Sequence, residues 1–193
     1  MLRTARKDDA EKLSRIHLSE LHSDFLPSLG LDFLTHLYRD FIKFKEVEVI
    51  VFDSKNKISG FIVGAKDFNS IFKTIILNNF FTYASLLILK MITRPIILKN
   101  VFDTLIYPVK EWNGIKSELV VIAVSNECQR KGIGRKLLNE LEIRFKKREI
   151  MEYKVSVNKK NKRANLFYKS LGFRKIREFY LYNKKLNLLV KNI

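Results

Sequence analysis

Gln129, Arg130, Lys131, Gly132, Ile133, Gly134 and Arg135 form a short run in which two glycines sit among three cations. The chemistry such a run offers is anion binding through the main chain. Glycine lets a ligand approach the backbone closely, and the first amides of a following helix have no intrahelical acceptor. The positive end of that helix's dipole adds to the attraction, so a phosphate is the natural ligand. Two familiar phosphate loops are excluded. The dinucleotide fingerprint needs a third glycine three residues on, and the Walker loop needs Gly-Lys-Ser/Thr; neither pattern is present.

The elements that must position this loop are legible on either side of it. Leu119 to Val124 is an unbroken apolar run, too short for a helix, which reads as a strand buried on both faces. After the loop, Gly134, Leu138, Leu141 and Phe145 recur at helical spacing, with Ile133 and Leu137 beside them. Further on, Tyr153, Val155 and Val157 alternate as in a strand with one covered face. A short helix over about 163–171 follows, with Gly172 placed for a left-handed cap.

Together these segments carry a resemblance. Gln129-Arg130-Lys131-Gly132-Ile133-Gly134 matches Gln/Arg-x-x-Gly-x-Gly/Ala, the pyrophosphate loop of the GCN5-related N-acetyltransferase (GNAT) superfamily. Val157, Asn161, Ala164, Phe167, Tyr168, Gly172 and Phe173 match the same superfamily's second signature, Val-x-x-x-Asn-x-x-Ala-x-x-Phe-Tyr-x-x-x-Gly-Phe. The resemblance covers about residues 1–65 and 116–185. It implies an α/β fold: a mixed, mostly antiparallel sheet flanked by helices, with acetyl-CoA as co-substrate and no metal. By the same resemblance, the amides of Gln129 to Arg135 hold the coenzyme's diphosphate, Val124 polarises the thioester carbonyl, and Asn161 contacts the pantetheine arm. Tyr168 corresponds to the residue that protonates the departing thiolate, with a core aromatic as the other reading. Glu118 corresponds to a carboxylate that deprotonates the amine, with a surface carboxylate as the other reading. An alkyl ammonium has a pKa near 10.4, so some base is required.

Other candidates are weaker. His17, His22 and Asp24 come from segments expected to frame the acceptor side. Asn126 stands where the superfamily often has proline, and Cys128 reads as a packing residue beside the loop. One cysteine and three scattered histidines offer neither a disulfide framework nor a structural zinc site, and suit a reducing, cytoplasmic setting.

The N-terminal third fits the expected order. Leu2 to Arg6 reads as a strand, Asp8-Asp9-Ala10-Glu11 as a capping box, and Leu29 to Phe41 as an amphipathic helix. Val47–Phe52 and Ile58–Val63 read as a hairpin turning over 53–57. A single domain over 1–193 is expected, with an apolar, helical insertion at 66–116 between the third and fourth strands.

That insertion is uncharged from Thr74 to Leu89, a stretch of 16 residues, short of the ~20 that a spanning helix needs. Breaks are expected at Asn78-Asn79 and at Arg94-Pro95. Four roles stay open for it: packing on the domain, shaping an acceptor pocket, a homodimer contact, or a peripheral membrane contact through 71–107. In the last, Lys73, Lys90, Arg94 and Lys99 would lie at the headgroups. Packing with an acceptor pocket is the favoured pair. The net charge of +17 reads first as a solvated basic surface and second as attraction for an anionic cofactor; no motif supports nucleic-acid binding. The functional expectation is transfer of an acetyl group from acetyl-CoA to a primary amine, on a small molecule or a peptide, by direct attack in a ternary complex. The alternative is a non-catalytic acyl-CoA-binding or membrane-surface module.

Overall fold

The computed structural model describes residues 1–54, 57–93, 96–97, 99–100 and 114–193. In chain order the elements are β1 (Leu2–Thr4), α1 (Ala10–Glu20), α2 (Phe25–Ser28), α3 (Gly30–Lys43), β2 (Val47–Ser54), β3 (Lys57–Ala65), α4 (Phe68–Asn78) and α5 (Phe80–Thr93). Then follow β4 (Glu118–Val124), α6 (Ile133–Lys147), β5 (Glu152–Asn158), α7 (Lys162–Ser170), β6 (Arg174–Leu181) and β7 (Lys184–Asn192). The strands form one seven-stranded sheet in the order β1-β2-β3-β4-β5-β7-β6, antiparallel except for the β4–β5 pair.

Helices cover both faces of the sheet. On one face α1, α3, α4 and α5 pack over Val49, Val51, Phe61, Val63, Ala65, Val121 and Ala123. On the other, α6 and α7 pack over Ile50, Ile62, Leu119, Tyr153, Val155 and Val157. The alternation of side chains along each strand produces these two cores from single strands. Gly64 lets α6 approach β3: a Cβ there would lie 2.6 Å from Leu141 and 2.7 Å from Phe145.

Several expectations change in detail. The capping box over Asp8 to Glu11 is not formed. Asp9 instead accepts from the Arg6 N–H at 2.7 Å, and the Arg3 guanidinium forks between Asp9 at 2.7 Å and Asp53 at 2.8 Å. A charged, bidentate partner outcompetes a helix amide for the same oxygens. The C-terminal region holds two strands, joined through Tyr182 and Asn183, both at positive φ (51° and 57°), as a two-residue hairpin of the favoured twist requires. β7 then inserts between β5 and β6.

The insertion begins as two helices that break at Asn79, with the Asn79 N–H and side chain both capping Ile75. Tyr83 and Leu87 pack toward α3, and the buried Tyr83 hydroxyl donates to Asp40 at 2.8 Å. Packing is therefore one of its roles. The second expected break, at Arg94-Pro95, lies outside the described residues.

Candidate active site

β4 pairs with β3 along its length but with β5 only at Glu118↔Lys154, so the two parallel strands splay apart beyond their first residues. The Ser125 N–H donates to the Ser59 carbonyl at 2.9 Å. By the alternation of an antiparallel ladder, Ala123 bonds to β3, while the polar groups of Ile122 and Val124 point the other way, into the gap toward β5. The Val124 carbonyl confirms the direction: it accepts from the Gln129 side-chain amide at 2.9 Å. An open strand edge inside a sheet is normally a cost, because its amides go unpaired. Here it lines a slot.

The register of β4 also shifts between its pairs with Val63 and Gly64, skipping Val120, which is a bulge. It leaves Leu119, Ile122 and Val124 on the α6–α7 face and Val121 and Ala123 on the other. The run is thus not buried evenly on both faces, as its apolar composition suggests. Val120, Ile122 and Val124 are only partly covered, because β5 pairs with β4 at its first residue alone.

At the outer end of the slot, the chain turns through Asn126–Cys128 into the loop. Arg130 and Gly132 both adopt left-handed backbone, at φ 62° and 75°, and Gly132 is the N-cap of α6 with no side-chain cap. Among the described residues, no backbone acceptor meets the N–H groups of Arg130 to Arg135; the first helical bond is from Lys136 to Gly132. A Cβ on Gly132 would meet nothing within 4 Å, so the loop is open on that side. Arg130, Lys131, Arg135, Lys136 and Lys162 are exposed around it. The Gln129 side chain braces the loop, donating also to Glu20 at 2.8 Å and accepting from Arg163 at 2.7 Å.

At the closed end stands Glu118. It is 6% exposed and lies 4.0 Å from the equally buried Lys154, and its Oε2 has no hydrogen-bond partner. Burial pushes the carboxyl up to about 7, with Lys154 pulling against that shift. Its cross-strand neighbour Ala65 belongs to the α1–α3 face, and Lys154 lies between Tyr153 and Val155 of the opposite face. Glu118 and Lys154 therefore point to the α1–α3 side of the sheet.

Tyr168 lies on the other side. It is buried among Phe173, Phe167 and Tyr153, its hydroxyl takes no hydrogen-bond partner among the described residues, and burial drives its pKa well up. The Phe-Tyr order of the motif implies that Phe167 serves the core while the Tyr168 hydroxyl faces the sulfur. The structure reverses this, since Phe167 is half-exposed and rests against Gly134, where a Cβ would come within 3.4 Å of its ring. The site thus has a carboxyl on one face of the sheet, a phenol on the other, and a slot between the strands.

Residues 111–184 match the family described as acetyltransferase (GNAT) domain. No curated protein matches the sequence. Solved structures agree on the fold. An N-acetyltransferase from Staphylococcus aureus Mu50 aligns over 99% of this chain and 100% of its own, at 19% identity and a TM-score of 0.68. The ribosomal-protein-S18-alanine N-acetyltransferase from Escherichia coli aligns over 100% and 93%, at 14% identity and 0.64. The PaiA N-acetyltransferase from Thermoplasma acidophilum, in complex with coenzyme A, aligns over 100% and 98%, at 15% identity and 0.60. Residues 111–184 thus resemble a GNAT acetyltransferase domain, and the whole chain shares the fold of these N-acetyltransferases.

Within this fold the remaining candidates separate clearly. Asn161 caps α7, its Oδ1 accepting from the Ala164 N–H at 2.9 Å, so that oxygen is already engaged. His17 is a core residue, with Nδ1 2.6 Å from the Tyr38 hydroxyl and its ring against Phe61; burial lowers its pKa to about 4. His22 is exposed beside the Ser19 carbonyl. Asp24 pairs with Lys184 at 3.3 Å, and Phe25 stacks on Tyr182 with centroids 4.7 Å apart, so the α1–α2 connection is tied to the β6–β7 turn. Cys128 is a half-buried free thiol that packs against the α6–α7 core. A cleft of about 760 Å³, lined in part by Ser70 and Thr74 of α4 and by Ser117, opens at the start of β4, the end away from the loop. Sequence reasoning missed Lys154 and Ile122: the first looks like one lysine among many, and the second is indistinguishable from its apolar neighbours until strand register is known.

Proposed function

We propose that the chain transfers an acetyl group from acetyl-CoA to a primary amine by direct attack in a ternary complex. One observation carries this reading: an open strand edge runs from an unpaired amide loop down to a buried carboxyl with a near-neutral pKa. The residues fit the coenzyme. The free amides from Arg130 to Arg135, the open approach at Gly132 and the cations around them suit a diphosphate. The outward groups of Ile122 and Val124 suit an extended, amide-bearing arm added along the strand edge. Acetyl-CoA supplies the activated acyl carbon.

The chain's own residues supply the rest. The amine must lose a proton as its nitrogen bonds to the acyl carbon, and Glu118, with a pKa of about 7, takes it directly or through water. Main-chain N–H groups of β4 stabilise the charge that develops on the carbonyl oxygen. As the carbon–sulfur bond breaks, Tyr168, which holds its proton at neutral pH, donates it to the thiolate. Because the carboxyl and the phenol lie on opposite faces of the sheet, the proton taken from the amine and the proton given to the sulfur would pass through separate groups.

The test incubates the full chain with acetyl-CoA and a panel of amines: an aminosugar, a hydrophobic alkylamine, a lysine peptide and an alanine-starting peptide. The last is included because one structural neighbour is named for a ribosomal-protein alanine. Thiol release that depends on an acceptor, with one acetylated product per thiol, is the expected result. Calorimetric coenzyme binding without any acceptor-dependent thiol would assign the non-catalytic binding module instead.

A further inference from the structure

We infer that the elbow of α4 and α5 is a docking surface for an anionic lipid bilayer. α5 carries two apolar faces, with Tyr83 and Leu87 against α3 and Phe81, Ile88 and Ile92 roughly opposite, at about 100° per residue. That second face is open, at 86%, 59% and 74% exposure for those three, with Leu77 of α4 at 72%. A helix with a second, uncovered apolar face calls for a second apolar neighbour, and exposed large apolar groups grouped in this way mark an interaction surface.

Charge selects the occupant. From residue 68 to residue 102 the sequence contains no Asp or Glu and four basic residues, within a chain of net charge +17. Lys73 and Lys99 are exposed. An apolar wedge in a basic surround matches a bilayer whose headgroups are negative, whereas a second copy would bring the same positive charge against it. Among the described residues no single helix is long and apolar enough to cross a membrane, and α4 and the first part of α5 meet at a bend of 82°. The elbow therefore lies in the interface, with Leu77 and Phe81 at its tip.

Flotation of the full chain with vesicles tests this, using phosphatidylcholine alone and phosphatidylcholine with phosphatidylglycerol. The chain is expected to float with the anionic vesicles, at least tenfold less with the zwitterionic ones, and less as salt is raised. The F81S/I88S variant replaces two exposed side chains, so its thermal unfolding should be unchanged while flotation falls at least tenfold. Failure to float with the anionic vesicles overturns the proposal, as does equal flotation with both kinds. A dimer in sedimentation that the variant dissociates, without vesicle binding, would show that a second copy covers the elbow. None of these outcomes depends on acetyl transfer.

Discussion

The roles proposed for Glu118 and Tyr168 rest on one physical cause: burial raises the pKa of each. The carboxyl has one oxygen with no hydrogen-bond partner among the described residues and a pKa raised to about 7, so at neutral pH it is a far stronger base than an exposed glutamate. The phenol, moved upward by burial, is fixed in its protonated form. The two substitutions have different expected signatures. E118Q should lower kcat by about 10²-fold or more. The parent kcat/KM should fall about tenfold per pH unit below about pH 7, the base being protonated there; a pH–rate profile of parent and variant checks both, and a parent profile flat from pH 5 to 8 would remove Glu118 as the base. Y168F should lower kcat by about tenfold or more with coenzyme affinity retained, since the ring stays in its pocket. Steady-state kinetics with calorimetry separate the two quantities, and unchanged kcat would end the acid assignment.

The elements follow from local pattern wherever local physics decides. Helical spacing marks α3 and α6, alternation marks β5, and Gly172, at φ 87°, ends α7 where a left-handed residue is needed. The glycine loop before α6 was legible because glycine at Gly132 has a conformational reason, its φ of 75°. What sequence could not convey is register. The bulge at Val120, the single β4–β5 pair and the burial of Lys154 against Glu118 arise from strands far apart in the chain. At Asn161 the motif position is also an N-cap, and its oxygen accepts from the Ala164 N–H. Gly64 illustrates contact imposed by packing. Adding one methyl would drive it to 2.6 Å from Leu141 and 2.7 Å from Phe145, so G64A should cost about 1–3 kcal/mol. Urea unfolding should show a lower midpoint with an unchanged m-value; an unaltered midpoint would mean that α6 can move away freely.

At the scale of the whole molecule, two buried groups act against each other as pH changes. His17 has a folded pKa of about 4 against 6.5 unfolded, so between those values the unfolded chain holds more protons, and stability falls as pH drops. Glu118 has a folded pKa of about 7 against 4.5 unfolded, so the folded chain holds more protons there, and stability falls as pH rises. Over the shared window the two slopes have opposite sign and similar size, about 1.4 kcal/mol per pH unit each. The slopes largely cancel, so the summed contribution of the two groups changes little across that window. E118Q removes one of the pair. Titrating groups remote from the site cancel in the difference between variant and parent, so that difference isolates Glu118 together with its ion pair to Lys154. Relative to its parent, the variant should gain stability steadily as pH rises from about 4.5 to about 7 and then level off, by a total on the order of 3 kcal/mol. Its own curve should slope upward with pH where the parent's is flatter, exposing the contribution of His17. Denaturant unfolding at half-unit pH steps gives both curves, and a constant offset between them would show that Glu118 carries the same charge folded and unfolded, which removes the raised pKa on which its role as base depends.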